Sequence, residues 1–261
     1  GNWGATEGGD IDQIKTMTEA EREALAVAAA AARAKGEVRV PEDCNTLQEA
    51  VDKVCGDDRL TTVVVGKGEH QIDDEYVYVR SAMNIVGDPG VPKEKIVVMG
   101  GIEFKRMGHL QESSLCHLQH LTLRQAKGDG VKGESSFTMD DILVEQCRYR
   151  GVGANGPGVV GRCTNVEVRQ CGYSGVCAAG GASITLIGAK TTVHHNRTAG
   201  KFGEYGLQVY GSSSTIQLLS PLAKEQVSCD NHGGRNWGAE GGGDINQIKT
   251  TGAPPPSGET K

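Results

Sequence analysis

A short pattern that recurs through the second half of the chain limits its possible folds more than any other feature. Copies lie at 121–126, 142–147, 166–171 and 191–196, with a looser one at 226–231. Each of the first four has an apolar residue third, a charged residue or histidine fourth, and a glutamine or histidine fifth. They end 21, 24 and 25 residues apart. Such a period is typical of a solenoid, in which each coil buries its apolar side by stacking on the next coil.

A second pattern lies between these copies: a polar or aromatic residue, then glycine, then an apolar residue. It begins at Asp129, Arg150, Ser174 and Tyr205. Aromatic residues make up only 4% of the chain, whereas glycine accounts for 38 of the 261 residues. We therefore expect small coils filled by Val, Ile, Leu, Cys and Ala. Short β-rich runs separated by glycine extend this prediction back to residue 61.

Two helices are predicted before the first coil. The first covers 17–35, where a Thr-x-x-Glu capping box precedes an alanine-rich run. The second covers 46–54, where the same capping-box spacing recurs. Because the end of a solenoid exposes unpaired strand edges, we expect residues 17–55 to form a helical cap over the first coil.

Nearly the same sequence occurs close to both ends of the chain. Residues 2–16 match residues 236–250 at a constant offset, and twelve of the fifteen aligned positions are identical, including a tryptophan. Two interpretations stay open. The copies have the same role at the two ends of one solenoid, or 1–16 is the last coil of a preceding tandem unit, which we favour. A β-helix is predicted over 56–250, and 251–261, with three consecutive prolines, is predicted to be a linker or tail.

The order of these motifs resembles a known family. Thr-Leu-Gln-Glu-Ala-Val at 46–51 is followed by Val-Val-Val-Gly-Lys-Gly-Glu-His at 63–70, by Asn-Ile-Val-Gly-Asp at 84–88, and then by the Gly-Val and Val-x-x-Cys coils. Over most of its length the chain is similar to the pectin-lyase-like superfamily, closest to the β-helix region of F-box proteins and to NosD-like proteins. The resemblance implies an all-β solenoid, a right-handed parallel β-helix with an N-terminal α-helical cap. That superfamily includes lyases, hydrolases, epimerases and non-catalytic binders, so it does not select an activity.

Charge and hydropathy argue against two classes of partner. The net charge of −6 disfavours nucleic acid, which needs a basic surface. No run approaches eighteen apolar residues, so no membrane span is expected. The chain begins with Gly1 rather than methionine, which indicates a processed or excised N-terminus and leaves the localisation open.

The cysteines are predicted to be mostly reduced, and no metal site is expected. The eight cysteines are expected to be mostly reduced, because Cys147 and Cys171 occupy the same place in successive coils and act there as small buried residues. This usage favours a reducing compartment. No Cys-x-x-Cys pair indicates a zinc site. Asp140 and Asp141 could share a calcium ion only in a turn, so we predict no metal and no cofactor.

The fourth residue of each copy is a candidate for ligand binding. Alternate residues of a strand face opposite sides, so if Val144 and Val168 point inward, the residues after them point outward and stack about 4.8 Å apart. We call this row the charge ladder; it consists of Arg124, Glu145, Arg169 and His194. Either solvated ion pairs or a surface that grips an anionic chain or protein strand explains its alternating signs. The residues that follow are expected at a bend, with side-chain amides bound to turn backbone; they are Gln125, Gln146, Gln170 and His195.

No motif singles out a catalytic residue. Arg169 and His194 are the candidates, with His194 as an outward base beside Arg169. The adjacent His194 and His195 are expected to face opposite sides of a strand and not to form a metal site. Glu145 and Glu167 are out of register for the paired carboxylates of glycoside hydrolysis.

The leading functional hypothesis is a non-catalytic binding or structural module for carbohydrate or protein, one unit of a tandem-repeat protein. Its ligand-binding residues are predicted to be the charge ladder and Tyr205. Aromatic residues for a sugar platform would come from Trp3, Trp237, Tyr76, Tyr78, Tyr205 and Tyr210. The alternative is an enzyme, a polysaccharide lyase or epimerase that acts on an acidic polysaccharide. A second alternative is a scaffold that assembles head to tail through its matching ends.

Overall fold

The computed structural model describes residues 36–106, 115–200 and 203–252. These residues form an all-β parallel solenoid, as the repeats predict. The copy at 1–16, the predicted helix 17–35 and most of the predicted tail lie outside the described residues.

One side of the solenoid is a nine-stranded parallel sheet, which we call the first face. Each coil adds one strand to it, so its order along the axis follows the chain. Its strands are β1 (Glu37–Val40), β2 (Thr62–Val65), β4 (Asn84–Gly87), β6 (Cys116–Gln119), β9 (Phe137–Asp140), β12 (Val160–Thr164), β15 (Ser183–Ile187), β18 (Thr215–Leu219) and β21 (Ile248–Thr251).

The other sheet bends into two further faces. Its long strands β3 (Gly68–Val79) and β5 (Ile96–Phe104) run through both, and β5 pairs with a different strand at each end. The second face continues as β7 (Thr122–Arg124), β10 (Leu143–Glu145), β13 (Glu167–Arg169), β16 (Thr192–His194) and β19 (Ser228–Cys229). The third face continues as β8 (Val131–Gly133), β11 (Val152–Asn155), β14 (Val176–Ala179), β17 (Leu207–Tyr210) and β20 (Trp237–Glu240).

The core fills the space between the three faces with stacked apolar side chains. Val144 and Val168 are fully buried and pair directly, which confirms the predicted inward column. Burial of such a side chain contributes about 1.5–3 kcal/mol. Cys147 and Cys171 are also buried, and all eight thiols are unbonded. Phe104 and Phe137 stack with ring centroids 5.5 Å apart.

Residues in left-handed backbone conformation form the corner after the second face. Gln125, Gln146, Gln170 and His195 have φ between 55° and 58°, which confirms the predicted bend. The amides of Gln125 and Gln146 do not bind turn backbone, however, because each donates to the side-chain oxygen of the next glutamine, Gln146 or Gln170, at 3.4 Å. The buried Asn196 binds the backbone instead: its Oδ1 accepts from the amide of Cys171 at 3.0 Å.

The second predicted helix is present as α1 (Leu47–Gly56). Its capping box is complete, because the Glu49 amide donates to Thr46 Oγ1 at 3.2 Å and the Thr46 amide donates to Glu49 Oε2 at 3.3 Å. The apolar side of the helix is buried, so α1 covers the first coils. A second, short helix, α2 (Lys224–Val227), precedes β19. Neither helix of the described chain has the length and apolar character that crossing a bilayer requires.

Candidate functional site

The charge ladder has the register that strand alternation predicts. Glu145 pairs with Arg124 on one side and Arg169 on the other, and Arg169 pairs with His194. The four side chains therefore stack on the second face, one from each successive coil. Tyr205 does not join them, since it precedes β17 at the edge of the third face.

Glu145 is the centre of the ladder and is bound from both sides. Its Oε1 accepts from Arg124 Nε at 2.6 Å, and its Oε2 accepts from Arg169 Nη2 at 2.7 Å. The residue is only 4% exposed. Burial opposes its ionisation, but the hydrogen bonds from Arg169 and Arg124 outweigh burial and hold the pKa of Glu145 below its ordinary value.

Glu167 also belongs to this cluster, although the sequence patterns do not single it out. It lies two residues before Arg169 and therefore on the same side of β13. Its Oε1 accepts from Arg169 Nη1 at 2.9 Å and lies 3.3 Å from His194 Nε2. Glu145 and Glu167 are not paired across strands, as expected, but they share Arg169. Each ladder charge therefore already has an opposite partner, and a ligand would have to displace one.

The prediction that His194 and His195 face opposite sides is wrong. Their Nδ1 atoms lie 2.7 Å apart, and the ring centroids are 4.9 Å apart. The cause is the left-handed conformation of His195, with φ of 55°, which turns the chain out of the strand at this residue. In the part of the chain that is described, no group of three or more His, Cys, Asp or Glu side chains is placed to hold a metal ion.

Asp141 lies in a turn, with φ of 52°, but both its oxygens are occupied. Lys93 Nζ donates to Oδ1 at 2.6 Å, and His120 Nδ1 lies 2.7 Å from Oδ2. Burial opposes both charges, yet the contacts lower the pKa of Asp141 and raise the pKa of His120. This cluster holds together three turns and is a structural feature of the corner between the first and second faces.

An open depression on the third face holds most of the tyrosines. Its volume is about 430 Å³. We call it the tyrosine groove; it is lined by Glu75, Tyr76, Tyr78, Glu103, Lys105, Asp129, Lys132, Tyr149, Arg150 and Tyr173. Four of the six tyrosines of the chain thus meet at one place.

Small residues continue the outward column of the third face beside the depression. Lys132 pairs with Gly153, which pairs with Cys177. Gly153 has no side chain to fill the space, and a Cβ there would meet only ordinary contacts, the nearest being Asp129 Oδ2 at 3.4 Å. A side chain at residue 153 would therefore point toward Asp129 and Arg150, two residues that line the groove.

The aromatic walls of the groove come in two pairs. Tyr76 and Tyr78 contact edge to face at 6.3 Å, and Tyr149 and Tyr173 lie 5.0 Å apart in successive coils. The hydroxyl of Tyr76 accepts a hydrogen bond from the amide of Asp129 at 2.9 Å. Burial raises the pKa of Tyr76 to about 12, so its hydroxyl is neutral.

Two carboxylates with opposite pKa shifts lie in the groove. Burial opposes ionisation of Glu103, but hydrogen bonds from Lys105 at 2.7 Å and Lys132 at 2.8 Å outweigh it, and the pKa of Glu103 is lowered. Asp129 is 7% exposed, and burial raises its pKa, although its Oδ1 accepts from the Arg150 amide at 2.9 Å. The side chain of Arg150 is less satisfied, since its buried Nε has no hydrogen-bond partner among the described residues.

The remaining aromatic candidates lie farther along the same side. The Tyr205 hydroxyl donates to Glu240 Oε1 at 3.4 Å, and the guanidinium of Arg235 lies 5.3 Å from its ring. Tyr210, at the end of β17, is 49% exposed. Trp237 begins β20 on the third face and is stacked by Lys224 at 5.3 Å, whereas Trp3 lies outside the described residues.

Sequence reasoning missed Tyr149, Tyr173 and Arg150 as a group. A signal was present, because each tyrosine follows the cysteine of its repeat by two residues, as Cys-x-Tyr at 147–149 and 171–173.

No family model, no curated protein and no solved structure matches this chain.

Proposed function

We propose that the protein is a non-catalytic carbohydrate-binding module and that the tyrosine groove is its binding site. The observation that carries the proposal is the convergence of four tyrosines and Arg150 in one open depression. Aromatic side chains present a large apolar face and a polar hydroxyl, which suits a ligand with both apolar and hydroxylated surfaces. A concave site with a few fixed polar groups is the usual form of a small-ligand site.

The chemistry of the groove favours a sugar that carries carboxylates. Arginine binds carboxylates through two parallel hydrogen bonds, and Arg150 lines the groove. The charge ladder is a weaker candidate for the same role, because Arg124 and Arg169 are both bound to Glu145. Its assignment as the ligand-binding surface, with Tyr205, stays a prediction.

Affiliation with the pectin-lyase-like superfamily, and with its F-box-type and NosD-like branch, is part of this proposal. The parallel solenoid with a capping helix supports it at the level of architecture. The near-identity of 2–16 and 236–250 supports the further proposal that the chain is one unit of a tandem-repeat protein.

Isothermal titration calorimetry with oligogalacturonate and with a neutral cello-oligosaccharide tests the proposal. We expect the acidic ligand to bind more tightly, and Arg150→Gln and Tyr173→Ala to weaken its binding at least tenfold, since a charged hydrogen bond contributes about 1.5–3 kcal/mol. Arg169→Gln on the second face is the matched control and should leave binding unchanged. Equal loss in Arg169→Gln would move the site to the charge ladder, and binding of neither sugar would exclude the proposal.

A second candidate, a polysaccharide lyase or epimerase, is favoured by one observation. Burial raises the pKa of Asp129, and a buried carboxyl in a groove is a candidate for proton transfer. Glu103, the other carboxylate of the groove with a shifted pKa, is bound to two lysines and is poorly suited to act as a base. Lyase activity is tested by measuring the absorbance of the unsaturated uronate product. Turnover that Asp129→Asn abolishes would replace the non-catalytic proposal.

A further inference from the structure

The last coil of the solenoid is held by contacts that its duplicated sequence can reproduce. β20 pairs with β17, so that Trp237 lies beside Leu207, and β21 pairs with β18, so that Ile248 lies beside Ile216. Ile248 is 2% exposed and ends the apolar core. The coil 236–250 is thus the last layer of the described solenoid and is bound on one side only.

The polar contacts of this coil come from side chains that recur in 2–16. Asn236 Oδ1 accepts from the Asn231 amide at 3.0 Å, and Thr250 Oγ1 donates to the carbonyl of Leu222 at 3.0 Å. Asp244 caps the turn before β21 by accepting from the Asn246 amide at 2.9 Å. The equivalent positions of the first copy are Asn2, Thr16 and Asp10, and Ile14 stands for Ile248.

Close backbone approach also requires residues that both copies have. A Cβ at Gly238 would lie 2.1 Å from the ring of Tyr205, and one at Gly243 would lie 3.0 Å from the Val209 carbonyl oxygen. The first copy has Gly4 and Gly9 at these positions. Two segments of the chain therefore carry the determinants for one binding position, the edge formed by β17 and β18.

One of the three differences makes the first copy the weaker occupant. Gly241 has φ of 60°, and a Cβ there would lie 2.6 Å from the ring of Tyr210. The first copy has Glu7 at this position. A left-handed conformation is unfavourable for a residue with a side chain, so the resident coil 236–250 keeps the position while it is intact.

We propose that residues 2–16 form an alternative end coil, which binds the β17–β18 edge of a second copy of this chain when that copy's own coil is displaced. A second copy is the occupant because the predicted helix 17–35 would span about 28 Å at 1.5 Å per residue. That is less than the distance of about 34 Å, at the usual strand spacing, from β1 to β18, the eighth strand of the nine-stranded sheet. The proposal gives the matching ends a specific contact and does not depend on a sugar ligand.

Matched substitutions at the two copies test the proposal. Ile248→Asp places a charge in the core position of the resident coil, and Ile14→Asp does the same in the alternative coil. By light scattering after size exclusion, we expect Ile248→Asp to have at least twice the mass of the unaltered chain, and the double variant to have the same mass as Ile14→Asp alone. An unchanged mass in Ile248→Asp, with its circular dichroism still β-rich, would overturn the proposal.

A peptide experiment on the unaltered protein covers the case in which Ile248→Asp does not fold. A synthetic peptide of residues 2–17 with Glu7→Gly, in large excess, should displace the resident coil and speed the amide exchange of 248–251. We expect it to act at about tenfold lower concentration than the same peptide with Glu7, because the left-handed penalty is removed. The matched peptide with Ile14→Asp should have no effect. Equal exchange with all three peptides would show that the copy does not bind this edge.

Discussion

Charged side chains stabilise this solenoid where they bridge successive coils. Glu145 has the most contacts of this kind, since it binds an arginine from the coil on each side and is nearly fully buried. Removal of its charge leaves Arg124 and Arg169, two strand spacings apart, without the carboxylate that lies between them. Both arginines remain partly exposed, so solvent screening limits the cost.

Glu145→Gln is therefore expected to lower the free energy of unfolding by about 2 kcal/mol. Urea denaturation followed by circular dichroism measures this change. Glu69→Gln is the matched control, because Glu69 is more exposed and lies 3.9 Å from Arg124. Its effect should stay within about 0.5 kcal/mol. A loss equally large in both variants would mean that net charge, not the buried contact, sets the stability.

The cluster of His120 and Asp141 predicts a defined pH window. The folded pKa of His120 is raised above 6.5, so its contribution is complete below that value and is lost as pH rises through the folded pKa. The folded pKa of Asp141 is lowered below 3.8, so its contribution is complete above that value and is lost as pH falls through the folded pKa. The stability difference between the unaltered chain and His120→Gln should thus be largest between pH 3.8 and 6.5. A difference that does not vary from pH 4 to 9 would contradict this assignment.

At the scale of elements, local sequence signals account for the helix and the strand register. The capping box of α1 is encoded within four residues, and the ladder register follows from strand alternation.

Thr46→Ala should lower the free energy of unfolding by about 1 kcal/mol, because the Glu49 amide loses its acceptor. Thermal unfolding measures the effect, and Thr46→Ser, which keeps the hydroxyl, should restore most of the stability. A serine variant as unstable as the alanine variant would show that the cap does not depend on the hydroxyl.

The tyrosine groove could not be predicted in the same way. Tyr149 and Tyr173 lie at a corner, outside the strands whose alternation gives a direction, and Tyr76 reaches them from a strand more than 70 residues earlier. Their meeting depends on how the second sheet divides into two faces at β5. Likewise, His195 departs from strand alternation because its own left-handed conformation ends the strand. The repeat period does not reveal the backbone conformation of a single residue.

For the whole molecule, stacked coils imply that position along the axis controls how a defect spreads. Leu186 and Leu218 are paired, fully buried residues of β15 and β18, and only the latter lies next to the last coil. Removal of a buried leucine side chain costs about 2–5 kcal/mol. Coils contact only their neighbours, so a defect near the end can be relieved by local opening.

Leu186→Ala should accordingly lower the protection of amides throughout the solenoid, whereas Leu218→Ala should expose mainly β18, β20 and β21. Hydrogen exchange followed by mass spectrometry separates the two patterns. The same loss of protection along the whole chain in both variants would show that the solenoid unfolds as a single unit.

The tyrosine groove takes its lining from five consecutive strands of the third face or the corners before them, from Tyr76 in β3 to Tyr173 before β14. At the usual strand spacing this is a length of about 19 Å along the axis. A chain-like ligand lying in the groove would cross coils that are otherwise joined only edge to edge. Such a ligand would hold these coils together, and the force needed to separate them would rise when the groove is filled.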